Sequence, residues 1–294
     1  MEELSLSEID KMFEALKALG VTYVSIGGGE PLLRDDLPKI VETLIKKGLK
    51  IRLLTNGILI NELTLNRLIG LGLRDFSISL DTLNPETQAY IHNGVEAWQK
   101  ITDNIRLIAE SVKDKKGLTL INTVVSRLNI DELDKLHDFA KESGCFISFI
   151  PVECGESSEF AFSVRDHETL DRSYEKLIVI KGISGNHIFN STLFLSKSRD
   201  YLKNKKRNWT CHAGRLYYSI NPKGDLSGCH RLPSLFSFRN FNSIDKETLR
   251  RINLDQKNLV KDCGGCMRPC WSELSLVSSD IKSFFELAKL HITS

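Results

Sequence analysis

Residues 4–37 read LSLSEIDKMFEALKALGVTYVSIGGGEPLLRDDL, and this stretch decides the fold. Leu6, Ile9, Met12, Phe13, Leu16 and Leu19 recur at helical spacing, which predicts an amphipathic helix over 5–19. Ser5 followed by Glu8 is a capping-box start, and Gly20 is a stop. VTYVSI (21–26) then reads as a short buried strand. GGGEP (27–31) follows at the C-terminal end of that strand, where parallel α/β folds bind ligands. Glycines there let the backbone approach a ligand closely, and Glu30 supplies a carboxylate suited to an ammonium group. Taken alone, the motif reads equally well as a tight turn with a solvated glutamate. It is not a dinucleotide-binding fingerprint, because Glu30 and Pro31 fall where the later glycine belongs.

The same alternation continues outward. Helices are expected at 36–47, 61–70, 85–92, 96–113 and 130–142, and strands at 51–55, 74–80, 118–125 and 145–151. Five strands alternating with helices imply a parallel sheet, either a β/α barrel or a doubly wound sheet. The chain opens on a helix that would normally follow a strand, so the sheet reads as lacking its first strand. Small polar residues recur at the strand ends: Asn56 in TNG (55–57), Ser79 and Asp81 in SLD (79–81), Asn122 within INTVV (121–125), and FIPVECG (149–155). An Asn-Gly turn is ordinary by itself. Ends in phase point to one shared ligand site. Beyond 155, helices are expected at 165–180 and 191–206, a hairpin at 214–230, and a last helix at 278–291.

The chain has 294 residues, enough for one or two domains with a sizeable core. Hydrophobic residues are 41% and charged residues 27%, with a net charge of +2. That balance argues against a nucleic-acid binder, and KNKKR (203–207) reads as cations at a helix C-terminus. No apolar run is long enough to span a bilayer, so no membrane role is expected. The N-terminus has no signal-peptide pattern, and a cytoplasmic location is expected.

The seven cysteines are unevenly spread: none in the first 144 residues, five between 211 and 270. An odd count without a signal peptide argues against a disulfide scaffold. The spacing is Cys211-x12-Gly224-x4-Cys229, then Cys263-x2-Cys266-x3-Cys270. These five are candidate metal ligands, for zinc or for an iron–sulfur cluster. Four suffice for a cubane, which leaves one spare, with Cys270 or Cys263 as the candidates. Cys145 reads as a small buried hydrophobe. Cys154, on a polar strand end, could serve a site, while His212 and His230 read as neighbours of ligands.

With these residues in view, the chain resembles the radical S-adenosylmethionine (radical SAM) superfamily, in the branch carrying a C-terminal SPASM or twitch module. LSLSEIDKMFEALKALGVTYVSIGGGEPLLRDDL (4–37), LLTNGILI (53–60), FSISLDTLNPET (76–87), Cys211 to Cys229 and CGGCMRPCW (263–271) carry the resemblance. It implies a partial (β/α)6 barrel over 1–155, a helical connection over 156–210 and a SPASM/twitch-like iron–sulfur module over 211–294. It implies that Gly28, Gly29 and Glu30 hold the methionyl amino group of S-adenosylmethionine, with Ser79 and Asp81 near the ribose. Asn56 and Asn122 are the further candidate cofactor contacts. It implies an oxidoreductase or maturase working through a 5′-deoxyadenosyl radical on a peptide or small molecule, with an auxiliary [4Fe–4S] cluster and a flavodoxin- or ferredoxin-type reductant. No catalytic acid or base is identified. The Cys-x3-Cys-x2-Cys motif that binds the radical-generating cluster is not in this sequence. The expectation is therefore an N-terminally truncated radical enzyme, inactive as given. The alternatives are a degenerate relative that binds ligand without catalysis, or a zinc-stabilised scaffold.

Overall fold

The computed structural model describes residues 3–18, 20–183, 185–239 and 245–293. Leu19, expected on the face of the first helix, lies outside the described residues. In chain order the elements are α1 (Leu6–Ala18), β1 (Tyr23–Ile26), α2 (Leu37–Lys46), β2 (Lys50–Thr55), α3 (Glu62–Gly70), β3 (Asp75–Ser79), α4 (Pro85–Ile91) and α5 (Trp98–Lys113). Then come β4 (Thr119–Val125), α6 (Leu133–Glu142), β5 (Phe146–Pro151), α7 (His167–Lys181) and α8 (Thr192–Asn204). The C-terminal region holds β6 (Ser219–Ile220), β7 (Asp225–Ser227), β8 (Phe236–Ser237), α9 (Lys246–Lys261), α10 (Pro269–Val277) and α11 (Ile281–Thr293).

Strands β1 to β5 form one parallel sheet in sequence order, and no closed barrel is present among the described residues. α1 starts on its capping box: the Ser5 amide and hydroxyl donate to Glu8 Oε2 at 2.8 and 2.7 Å. Period-2 alternation sorts each strand into two faces. Leu53, Phe76, Ile78, Ile121, Ile147 and Phe149 are buried towards the helices. Ile40, Val41 and Leu44 of α2, Leu65 and Leu68 of α3, and Ile105 and Ile108 of α5 pack in the same core.

The other face is polar along two rows set by register. Ser25, Arg52 and Asp75 are neighbours in one row, and Ser79, Asn122 and Ser148 in the other. The sheet also extends beyond β5. The Ile147 amide donates to His187 O at 2.9 Å, and the Phe189 amide to Ile147 O at 2.8 Å, in a parallel bridge. The Arg52 guanidinium lies 5.5 Å from the Tyr23 ring and 5.3 Å from the Phe189 ring. Residues from the two ends of the sheet therefore meet over β2, so the sheet curls towards closure around a polar interior.

Differences from the sequence expectations concentrate after residue 186. The 187–189 segment is too short to show a strand period. The expected hairpin becomes a three-stranded antiparallel sheet, β6-β7-β8. α9 and α10 were not expected, and the helix expected over 278–291 is α11. No helix among the described residues is long and apolar enough to cross a membrane.

Candidate active site and metal centre

The GGGEP loop and the TNG turn are tied together by one carboxylate. Glu30 Oε1 accepts from the Thr55 hydroxyl at 2.8 Å and the Leu32 amide at 3.2 Å, and Oε2 accepts from the Asn56 amide at 2.8 Å. The bonds of Glu30, the expected contact of a ligand ammonium, splice the ends of β1 and β2. Thr55 Oγ1 in turn accepts the Gly57 amide, and Asn56 Oδ1 accepts the Ile58 amide. Gly57 has φ +79°, and a Cβ there would sit 2.9 Å from Ile78 Cγ2, so only glycine fits this turn. Gly28, at φ +145°, and Gly29 both face open space. Two exposed glycines over an anchored carboxylate leave a backbone surface that a ligand can approach.

Asp81 likewise joins two strand ends, here those of β3 and β4. Its Oδ1 accepts the Val124 amide at 2.7 Å, and its Oδ2 lies 3.5 Å from His92 Nε2. The buried Gln88 side chain accepts from the amides of Asp81 and Thr82, while its Nε2 has no partner. Gln88 and His92 had no signal in the sequence beyond their place in an ordinary helix. Ser79 and Asn122 are register neighbours on the polar face below these loops. The candidate ligand residues thus collect along one edge of the sheet.

The C-terminal cysteines fall into two groups. Cys229 is under the electrostatic influence of Cys211 and Cys263, and Cys266 under that of Cys229 and Cys211, so these four share a neighbourhood. No three His, Cys, Asp or Glu side chains stand together as a formed metal site among the described residues. The donors nevertheless fit a thiolate-bound centre. The Arg231 amide donates to Cys229 Sγ and the Gly265 amide to Cys263 Sγ, each at 3.4 Å, and the Arg268 amide bonds to Cys266. Backbone N–H groups aimed at sulfur stabilise the anionic ligand form. Without a metal, burial pushes the Cys266 thiol up to about 11 and that of Cys229 upward.

α10 stitches the two cysteine loops together. Trp271 stacks on His230 at 4.5 Å, Ser275 Oγ accepts the His212 amide, and Tyr217 O–H lies 3.3 Å from both Cys211 Sγ and Ser275 Oγ. Arg231 reaches Gly265 O. Cys270 is apart: its thiol interacts with Arg52 and Tyr23 of the parallel sheet. Cys145 is fully buried, and desolvation pushes its thiol up to about 12. Cys154 is half-buried next to Glu153. Sequence reasoning missed Glu153, whose carboxylate pairs with Arg268 at 2.7 Å and Arg231 at 3.7 Å, between the end of β5 and the cysteine loops. The acid within FIPVECG was its only signal.

Residues 1–140 match the model of the radical SAM superfamily. Fold and match together place this region of the chain in that superfamily. The chain is 34% identical over 160 residues to a probable GTP 3′,8-cyclase of Methanococcus maripaludis, covering 51% of this chain and 50% of that protein. It is 25% identical over 284 residues to an AdoMet-dependent heme synthase of Methanosarcina barkeri, covering 90% and 80%. The chain spans about half the length of the first of these curated relatives. Among solved structures, anSMEcpe with bound AdoMet superposes with a TM-score of 0.62 at 20% identity, over 99% of this chain and 90% of that one. SuiB of Streptococcus suis bound to S-adenosylmethionine gives 0.60 at 18% identity, over 85% and 58%. At those identities the likeness is one of fold.

Proposed function

We propose that this chain is the cofactor- and substrate-holding body of a radical SAM oxidoreductase or maturase with a SPASM- or twitch-type auxiliary centre. The observation that carries this reading is the Glu30 splice. It holds GGGEP and TNG side by side at the C-terminal edge of a parallel sheet, with Gly28 and Gly29 open to a ligand. Residues 1–155 form the cradle, 156–210 connect, and 211–294 form the auxiliary module. Gly28 and Gly29 lie against the methionyl end of S-adenosylmethionine, with Glu30 fixing their loop. Ser79, Asp81 and Asn122 line the nucleoside side, and Asn56 shapes the turn between.

Cys211, Cys229, Cys263 and Cys266 hold the auxiliary [4Fe–4S] cluster, and Cys270 stands outside the ligand set. Such a cluster supplies electron transfer. Glu153 is fixed by Arg231 and Arg268 between that centre and the sheet, so its charge is held in place beside the substrate space. These residues supply the binding of S-adenosylmethionine; the Cys-x3-Cys-x2-Cys motif is not among them. The enzyme acts on a peptide or a small molecule, with a flavodoxin- or ferredoxin-type reductant, in the cytoplasm. A peptide substrate draws support from the PqqA peptide cyclase of Granulibacter bethesdensis, 24% identical over 248 residues, and a small molecule from the heme synthase.

Equilibrium dialysis tests the cradle. S-adenosylmethionine is expected to bind this chain, and Gly28→Val, forced into φ +145°, to weaken binding at least tenfold; a chain that takes up none overturns the reading. Metal analysis of anaerobically purified protein tests the module. Iron with labile sulfide, lost in Cys263→Ala/Cys266→Ala, is expected. Zinc without sulfide would assign the module to a structural scaffold.

A further inference from the structure

The polar interior of the sheet contains a cation that forms no ion pair with the carboxylate beside it in register, Asp75. Arg52 makes no hydrogen bond or ion pair with any described residue, and its Nε is buried without a partner. Its register neighbour Asp75 is already engaged, by the Leu118 amide at 3.1 Å and by the Tyr23 hydroxyl. Arg52 is half-buried, and leaving its buried Nε without an acceptor is costly. The two aromatic rings offset a share of that cost as cation–π contacts. Neither ring supplies a hydrogen-bond acceptor, so the guanidinium N–H groups remain available to a bidentate oxyanion.

Tyr23 and Cys270 flank this cation: both are exposed, and the Arg52 charge acts on both. Lys50 shares this sheet face two residues from Arg52 and adds positive charge. Nothing in the SAM cradle or the auxiliary centre uses this group.

We propose that Arg52, held between Tyr23 and Phe189 and bordered by Cys270, is an anion subsite that receives a carboxylate or phosphate group of the substrate. The proposal rests on the reading of the sheet interior as the substrate space. It narrows the substrate to one bearing an oxyanion, placed three residues back along β2 from Thr55, where Glu30 bonds. Arg52 binds and orients; it takes no proton.

Cys270 reports on the subsite without S-adenosylmethionine, radical chemistry or a known substrate. The metal-loaded full chain is alkylated with anionic iodoacetate and with neutral iodoacetamide, and modification at residue 270 is read by peptide mass spectrometry. The ratio of the two rates cancels any change in thiol ionisation. The ratio at Cys270 is expected to exceed that at Cys154, to fall on the order of tenfold in Arg52→Gln, and to persist in Arg52→Lys, as for a unit charge at close range in a half-solvated site. Inorganic phosphate or acetate is expected to slow iodoacetate at Cys270 in the wild type. Protection by phosphate alone identifies a phosphoryl group, and by acetate alone a carboxylate. An equal ratio in wild type and Arg52→Gln, or no protection of the wild type by either anion, overturns the proposal. The protection arm uses only wild-type protein, so it stands even where Arg52→Gln does not fold. If S-adenosylmethionine fails to bind while the ratio responds, the function reading fails and the subsite survives.

Discussion

The parallel sheet and the cysteine module are held together by different physics. Between Leu4 and Leu202 one apolar core runs without interruption, with Leu53, Phe76, Ile78, Leu65 and Leu68 fully buried. Beyond it, Leu226 and Ile252 form one small buried cluster, while Met267 and Leu276 join Phe194 and Tyr201 in another. β6, β7 and β8 are two or three residues each, too short to stand alone. What joins the module is a set of polar and aromatic stitches around thiols: Tyr217 to Cys211, Trp271 on His230, Arg231 to Gly265. If, as proposed, the thiols hold a metal centre, that centre orders a region short of apolar burial, as in small metal-bound modules.

The largest expected effect separates the two regions. Cys263→Ala/Cys266→Ala, or chelation, should abolish amide-exchange protection across β6–β8 and the 211–231 loop while β1–β5 stay protected. Structural metal centres contribute on the order of 10 kcal/mol to modules that fold around them. Full protection of β6–β8 without metal would refute the contrast. Next comes Phe76→Ala in the sheet core, which should cost about 3–5 kcal/mol in denaturant unfolding. It should leave metal stoichiometry unchanged below the melting temperature. A cost under about 1 kcal/mol would mean that the sheet is not the packed body described here.

The same contrast decides what could be read from the sequence. β1 to β5 were legible because each apolar run is flanked by amphipathic helices, of which α1, α3 and α4 start on side-chain caps, and local pattern and final environment agree. The Glu30, Asn56 and Asp81 positions were legible as strand ends, but not their bonds. Glu30 ties two loops through partners 25 and 26 residues away, Thr55 at the end of β2 and Asn56 just beyond it. Arg52 was visible as a lone cation inside IRLLT, yet its isolation depends on Phe189, 137 residues on, whose segment carries no strand period of its own. α9 is strongly polar, so the 246–261 stretch offers few apolar positions to mark a face. Glu273 was invisible for a similar reason: its burial comes from helix packing across 82 residues of chain.

Glu273 supplies the smallest and most specific test, because it sits where the sheet body meets α10. It is buried, its Oε1 accepts the Ser191 amide at 3.1 Å, and its Oε2 has no partner. Desolvation lifts its carboxyl from 4.5 to about 7, opposed by hydrogen bonds from Ser191 and Asn190 and by Lys181. The facing groups are few. Lys181, held down to about 8 by its own burial, donates to Ile188 O and feels both Glu273 and Glu286, and Glu286 caps Thr192. A folded-state carboxyl raised in this way binds its proton more tightly than the unfolded chain does. Its stabilisation is complete below about 4.5 and is lost as pH rises through about 7, to a total of roughly 3 kcal/mol. Lys181 has the opposite sign: its stabilisation is present above 10.5 and is lost as pH falls through about 8. Between pH 5 and 7.5 Glu273 lowers the melting temperature as pH rises, against the opposite contribution of His212 and His230, whose imidazoles burial holds below 6.5. Glu273→Gln keeps the amide-accepting oxygen and removes the titration, so it should flatten that slope while leaving metal content unchanged. A wild-type slope that survives in Glu273→Gln would show that the junction between sheet and module is solvated, and that the two regions are coupled only through the chain.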